Sequence, residues 1–71
     1  MNQPAARLPL SPGADGNFTV AHGLGRVPVL VLIQMTSGGG IWFQPAMYDA
    51  KNIYLVAAAS EVSGVALCWT D

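Results

Sequence analysis

The stretch that most constrains the fold is 27–36, VPVLVLIQMT, which contains no charged residue. Pro28 fixes an extended backbone near its start, and β-branched side chains follow, so the pattern predicts a strand over 27–36. A strand with water on one side alternates polar and apolar side chains. Gln34 is the single polar residue between Val29 and Met35. We therefore expect protein to cover both faces of this strand.

The chain is short for a strand that needs cover on both faces. Its 71 residues form at most one small domain. Domains of this size usually rely on disulfides, metals or oligomerisation. Cys68 is the only cysteine and His22 the only histidine, which excludes an intramolecular disulfide and a zinc site with several such ligands in one chain. Charged residues make up 10% of the chain, against about 25% in typical soluble domains. This composition predicts an oligomer.

The charge pattern argues against two classes of partner. The three basic residues, Arg7, Arg26 and Lys51, are scattered and form no stripe for phosphates, so we expect no nucleic-acid partner. The longest apolar run, 27–33, is far shorter than the ~20 residues of a membrane-spanning helix, so we expect no membrane partner. The N-terminus lacks a secretory signal pattern. A free cysteine without such a signal fits assembly in a reducing cytoplasm.

Turn residues divide most of the chain into short extended segments. Strands are predicted at 18–21, 27–36, 41–44, 53–59 and 65–69. Pro45 is expected to stop the third strand, and the Gly-rich segment 37–40 reads as a hairpin loop because it lacks the lysine of a phosphate-binding loop. No segment has the periodicity of an amphipathic helix. The fold class predicted is all-β, a small antiparallel β-sandwich or barrel of five to six strands.

The first 16 residues differ in composition from the rest. Pro4, Pro9 and Pro12 favour an extended or irregular backbone. We therefore predict a separate N-terminal arm over 1–16 and a β-sandwich domain over 17–71. Two interpretations of this arm remain open. It is either a disordered leader or a segment that anchors to a neighbouring subunit or larger assembly through Leu8 and Leu10.

Strand alternation assigns side chains to the core and to a subunit contact. Residues 53, 55 and 57 share one face of their strand, and residues 65, 67 and 69 share one face of theirs. The core is predicted to contain Val29, Val31, Ile33, Leu55, Leu67 and Trp69. The oligomer interface is predicted to contain Leu30, Leu32 and Val56. Five or six strands barely supply two sheets, so pairing across subunits is expected, with a trimer or higher ring as the fitting arrangement.

Few residues carry chemistry. His22, in the turn 22–25 (HGLG), is expected to hydrogen-bond loop backbone; the alternative is that three copies meet on a three-fold axis and bind a metal. Cys68 lies within a strand and is expected to be buried and inert. The acidic residues fall in turns or at the terminus, without neighbours that raise a carboxyl pKa. We expect no enzymatic activity and no cofactor.

The aromatic residues allow two interpretations. Trp42 and Phe43 are adjacent, so they point to opposite faces of their strand, and one of them can lie outside the core. The structural interpretation assigns Trp42 and Tyr48 to the core or a subunit contact. The alternative is a ligand-binding surface for a sugar ring or a protein partner, beside the loop 37–40, formed by Trp42, Tyr48 and Asn52.

The pattern FTVAHGLGRVPVLVLI over 18–33 resembles a motif of bacteriophage tail-fibre and tail-associated domains: a strand ending in His-Gly-Leu, a proline, then an aliphatic strand. Asp49-x-x-Asn52, the strand IYLVA over 53–57 and the terminal Trp69 extend the resemblance to 17–71. The layout is also similar to the H-type lectin fold, a six-stranded sandwich that trimerises and binds sugars. The polar and charged residues with which those lectins bind sugars are scarce here.

The resemblance implies a phage-virion setting. The expected function is that of a non-enzymatic virion structural protein, assembled in the host cytoplasm. It would be attached to the tail, in a fibre, spike or baseplate, or it would decorate the capsid. Other virion proteins are the expected partners. The alternative is a carbohydrate-binding module of H-type lectin layout that takes part in host recognition, with a cell-surface glycan as its ligand.

Overall fold

The computed structural model describes residues 3–70, and within that range it contains six β-strands and no helix. The strands are β1 (Ala6–Leu10), β2 (Gly16–Ala21), β3 (Leu30–Met35), β4 (Ile41–Tyr48), β5 (Asn52–Ala57) and β6 (Gly64–Trp69). They form two three-stranded sheets with the orders β1-β6-β3 and β2-β5-β4, and all four strand pairs are antiparallel. The predicted all-β antiparallel fold with five to six strands is confirmed.

One hydrophobic core joins the two sheets. Leu10, Val31, Ala66 and Cys68 come from the β1-β6-β3 sheet, and Ile53 and Leu55 come from the β2-β5-β4 sheet. Partly buried side chains such as Phe18, Val20 and Phe43 pack around this cluster. The arrangement is that of a small sandwich, in which each sheet turns one face to the core and one face outward.

The central strand β5 follows the predicted alternation. Ile53, Leu55 and Ala57 are buried, while the residues between them are half-buried on the opposite face. Each of the three buried residues has cross-strand neighbours in both β2 and β4, because β5 lies between these two strands. The core assignment of Leu55 is therefore confirmed.

The core face of β6 differs from the prediction. Ala66 and Cys68 are fully buried, whereas Leu67 is half-buried and points away from the core by strand alternation. Both faces of this strand are apolar, so the sequence periodicity did not show which face is turned to the core. The small side chains of Ala66 and Cys68 lie on the inner face, where the two sheets pack together. The core assignment of Leu67 was wrong. Trp69 is buried as predicted, and so is the free thiol of Cys68.

In β3, two of three predicted core residues are found in the core. Val31 is buried and Ile33 packs against the core cluster. Val29 is 61% exposed because the strand begins only at Leu30, so the core prediction for Val29 was wrong. The strand is also shorter than predicted.

The N-terminal segment is part of the sandwich. Ala6–Leu10 pairs with β6 over five residues, and Ala5 donates its N–H to the carbonyl of Cys68 at 2.7 Å. Leu10 is 2% exposed and Leu8 packs against the core. The domain boundary predicted at residue 17 is therefore corrected, since both leucines pack within their own chain instead of projecting from an arm. Residues 1 and 2 of the predicted arm lie outside the described range.

Strand β4 continues past Pro45 instead of stopping there. Phe43 is opposite Leu55 and Tyr48 is opposite Ile53, so residues 44–47 of β4 face a single residue of β5. This bulge accommodates a proline, which cannot donate to a ladder, and it places Met47 at a φ of 58°. The Gln44 side chain donates to the carbonyl of Leu55 at 2.8 Å and replaces part of the interrupted ladder.

Candidate functional site

The 22–25 turn is held by the side chain of His22, which is 5% exposed. Its Nδ1 accepts a hydrogen bond from the N–H of Leu24 at 3.1 Å, so the proton lies on Nε2, which donates to the carbonyl oxygen of Asp49 at 2.7 Å. The two neighbouring glycines, Gly23 and Gly25, have φ angles of 68° and 73°, which other residues reach only with strain. His22 thus joins the β2–β3 connection to the β4–β5 turn.

The prediction that His22 binds loop backbone is confirmed. The metal-binding alternative needs a free ring nitrogen, and both nitrogens of this buried ring already have partners. Residues 3–70 contain no group of three His, Cys, Asp or Glu side chains that could hold a metal ion.

The β4–β5 turn is organised by Asp49. Its Oδ1 accepts hydrogen bonds from the N–H groups of Lys51 and Asn52, at 2.8 and 2.7 Å, and its Oδ2 accepts from the hydroxyl of Tyr54 at 2.6 Å. The Asp49 N–H bonds the carbonyl of Asn52 at 3.0 Å. This is the turn chemistry that a short acidic side chain provides.

These contacts change the acid–base properties of the turn. The Tyr54 hydroxyl, followed by the N–H groups of Asn52 and Lys51, lowers the pKa of Asp49 to about 2 because each donor favours the carboxylate. The same hydrogen bond raises the pKa of Tyr54. Burial raises the pKa of the Cys68 thiol, which keeps it protonated and unreactive.

Side chains on the outer side of the β1-β6-β3 sheet form a mostly apolar surface, which we call face A. Strand register places Leu67 between Arg7 and Leu32, and it places Val65 between Pro9 and Gln34. Leu32 is 47% exposed. Face A consists of Arg7, Pro9, Leu30, Leu32, Gln34, Val65, Leu67 and Trp69, of which Trp69 is buried. Arg7 is its only charged side chain.

The outer side of the β2-β5-β4 sheet is more polar, and we call it face B. Val56 lies between Asn17 and Trp42, and Tyr54 lies opposite Thr19. Trp42 is 51% exposed. Face B consists of Asn17, Thr19, Ala21, Trp42, Asn52, Tyr54 and Val56. The Asp49 carboxylate joins it through the Tyr54 hydroxyl.

The predicted ligand-binding residues are not all brought together on one surface. Trp42 projects outward on face B, whereas Tyr48 packs against the core and contacts Phe43 edge to face at 5.9 Å between ring centroids. Asn52 begins β5, is half-buried and lies on face B with Trp42, on the side of β5 that carries Tyr54 and Val56. Among these three residues, only Trp42 has a side chain that is about half exposed to solvent.

The predicted interface residues lie on opposite sides of the sandwich. Leu30 and Leu32 belong to face A, while Val56 belongs to face B beside Trp42. Their role in an oligomer stays a prediction. Sequence reasoning did not identify Arg7 or Tyr54 as surface partners of these residues. The alternation of residues 52–57 was the available signal for Tyr54, but no pattern indicated that residues 6–10 form a strand.

Comparison with models of protein families, with curated proteins and with solved structures finds no match to this chain. The surface formed by residues 3–70 has no pocket, and no helix in that range is long and apolar enough to cross a membrane. The candidate functional features of the described chain are therefore its two outer faces and the turn at His22.

Proposed function

We propose that this chain is a non-enzymatic structural protein of a phage virion. It forms a homo-oligomer, with the trimer as the predicted state, and it attaches to the tail, in a fibre, spike or baseplate, or decorates the capsid. Its setting is the virion, with assembly in the host cytoplasm and other virion proteins as neighbours. The setting comes from the resemblance of 17–71 to tail-associated domains, and the oligomer from face A.

Face A is the observation that carries the oligomer. The apolar side chains of Leu30, Leu32, Val65 and Leu67 lie side by side on β3 and β6, Pro9 adjoins them on β1, and Leu32 is 47% exposed. Val27 and Val29, just before β3, are 53% and 61% exposed. Contiguous apolar surface on a small domain marks a contact with another protein, whereas single exposed apolar residues are common.

The groups that could perform chemistry are used for structure, which favours a non-enzymatic role. Both ring nitrogens of His22 have partners, Asp49 accepts three hydrogen bonds, and the thiol of Cys68 is buried. A general base or nucleophile needs a lone pair or proton that can reach a substrate. At His22 and Asp49 the hydrogen bonds organise two turns, and the Cys68 thiol is enclosed within β6.

The test of the virion setting is the protein content of purified particles. Particles of the phage that encodes this chain are purified by density gradient, separated into head and tail fractions, and analysed by quantitative mass spectrometry. We expect the chain at a fixed copy number in one fraction. Presence in the infected-cell lysate with absence from purified particles would contradict the proposal.

Carbohydrate binding is the second candidate, and the exposed ring of Trp42 favours it. A flat aromatic side chain on a face that also carries polar side chains, here Asn17 and Tyr54, suits stacking against a sugar. A glycan array probed with the wild type and with Trp42→Ala tests this function. If the wild type binds a glycan and Trp42→Ala does not, carbohydrate binding is supported. If the wild type binds no glycan on the array, this function is rejected.

A further inference from the structure

The two outer faces carry complementary features. Face A is apolar and has one cation, Arg7, whereas face B has an apolar pair, Trp42 and Val56, with the Asp49 carboxylate at its border. Strand alternation makes the two faces point in opposite directions, because each sheet turns its other side to the shared core. A contact that uses both faces therefore joins different surfaces of two molecules.

We propose that a second copy of this chain packs its face B on face A of the first, so that the oligomer is built from heterologous, head-to-tail contacts. Leu30 and Leu32 of one copy then contact Trp42 and Val56 of the next, and Arg7 lies near the next copy's Asp49. The inference deepens the homo-oligomer of the proposed function and rests on it, and because the two faces point in opposite directions it replaces the predicted closed trimer by an open stack.

Charge decides between this arrangement and a symmetric one. Face A packed on face A encloses two Arg7 side chains, and the described residues of that face include no carboxylate to pair with them. Face B packed on face B brings two Asp49 carboxylates into one contact. A charge enclosed without a partner is strongly unfavourable. In the face A–face B contact, each guanidinium meets a carboxylate that keeps its own hydrogen bonds to Tyr54 and the turn.

Asp49 suits this role because it is already charged and fixed. Three hydrogen bonds hold the carboxylate in place, so pairing with a cation requires little further ordering of the side chain. The three bonds leave one lone pair on Oδ2, and a guanidinium N–H can donate to it.

Two single variants and their mixture test the arrangement. Leu32→Arg blocks face A, and Trp42→Arg blocks face B; the two sites are 47% and 51% exposed, so both variants are expected to fold. Each variant alone is expected to be a monomer. Mixed in equal amounts, they are expected to give a species with the mass of two chains, because the intact face B of the first fits the intact face A of the second. Ser11→Arg, at an exposed loop position, is the matched control and is expected to keep the wild-type mass.

The other outcomes overturn the proposal in distinct ways. If Trp42→Arg keeps the wild-type mass, the contact is face A on face A; if Leu32→Arg keeps it, the contact is face B on face B. Two monomeric variants that do not combine exclude the head-to-tail contact while the oligomer of the proposed function stands. If the wild type is a monomer, both the head-to-tail contact and the homo-oligomer of the proposed function are ruled out. Circular dichroism checks folding, and Val56→Arg replaces Trp42→Arg if that variant is unfolded.

The charge pair has its own test. Arg7→Glu is expected to weaken self-association at least about tenfold at low salt, because it places a second carboxylate near Asp49. Arg26→Glu makes the same change of charge at another exposed position and is the matched control, with a smaller expected effect. Equal dissociation constants for Arg7→Glu and the wild type would contradict the assignment of Arg7.

Discussion

The two sheets of this sandwich have similar sizes but are stabilised differently. The β2-β5-β4 sheet contains a bulge in β4, and at one end its turn is tied to the 22–25 turn by His22 and Asp49. The β1-β6-β3 sheet pairs in register along both ladders. Its outer face is apolar, whereas the outer face of the other sheet is more polar.

The difference separates two tasks. Buried or tightly bonded donors and acceptors specify a conformation, as His22 and Asp49 do at one end of the β2-β5-β4 sheet. At the end of the other sheet, the Ser37 hydroxyl accepts from the N–H of Ser63 at 2.9 Å. The other sheet is regular, and its outer residues have few partners within the chain. A domain this small has too little chain to cover the outer faces of both sheets, so apolar side chains on an outer face stay available for contact with another protein. Single substitutions can therefore act on one sheet and spare the other.

The largest effect is expected where β3 and β6 approach closely. A Cβ on Gly64 would lie 2.7 Å from the backbone oxygen of Gln34, which cannot move without opening the ladder. Gly64→Ala is expected to lower the free energy of unfolding by about 3 kcal/mol, the cost of severe overpacking. Urea denaturation measures it. Gly38→Ala, where the added Cβ meets nothing within 4 Å, is the control, and equal losses for both would refute the close-packing argument.

The next effect concerns the His22 turn of the other sheet. His22→Ala removes two hydrogen bonds and leaves the Asp49 carbonyl and the Leu24 N–H without their partner. We expect a loss of about 2 kcal/mol in the free energy of unfolding. His22→Gln can restore one donor and is expected to lose about half as much. If His22→Ala has the same free energy of unfolding as the wild type, the two hydrogen bonds of His22 do not stabilise the turn.

A smaller effect is expected at Asp49, where the readout is a pKa. Tyr54→Phe removes the strongest donor, so the pKa of Asp49 is expected to rise from about 2 toward its ordinary value of 3.8. Carboxyl-carbon NMR during a pH titration measures this pKa. Tyr48→Phe is the matched control, because Tyr48 packs against the core and has no bond to Asp49. An unchanged pKa in Tyr54→Phe would contradict the assigned cause.

The same contacts predict a pH dependence of stability. The folded pKa of Asp49 is lower than the unfolded one, so its contribution is fully present above about pH 4 and is lost as the pH falls to about 2. Acid titration of the unfolding free energy should show this loss in the wild type. Tyr54→Phe is expected to lose less over the same interval.

The smallest effect on the fold is expected on face A. Leu32→Ala removes a side chain that is 47% exposed, so at concentrations where the chain is dissociated its unfolding free energy should change by less than about 0.5 kcal/mol. Self-association of the same variant should weaken clearly. A large loss of monomer stability would show instead that Leu32 packs within its own chain.

Sequence reasoning predicted the parts of the fold that local pattern determines. The alternation in 53–57 identified the core side of β5, and the isolated His22 beside glycines indicated a backbone partner. The identity of that partner, Asp49, could not be predicted, because the bond spans 27 residues and depends on how two turns meet.

The errors have a common physical cause. In β6 both faces are apolar, so the small residues Ala66 and Cys68 lie inside and Leu67 outside for reasons of sheet packing that period alone does not contain. For residues 6–10, proline content suggested an arm, but Pro9 is tolerated because β1 lies at the edge of its sheet. Edge position is a property of the assembled sheet, and one chain segment does not encode it.

The mass of the wild-type protein in solution decides whether face A is a subunit contact. Light scattering across micromolar concentrations is expected to give a multiple of the 7.4 kDa chain. Because faces A and B point in opposite directions, their head-to-tail contact gives an open stack whose mass grows with concentration, whereas a mass of three chains that stays constant indicates a closed ring held by a different contact. A constant mass of one chain throughout this range would contradict the account.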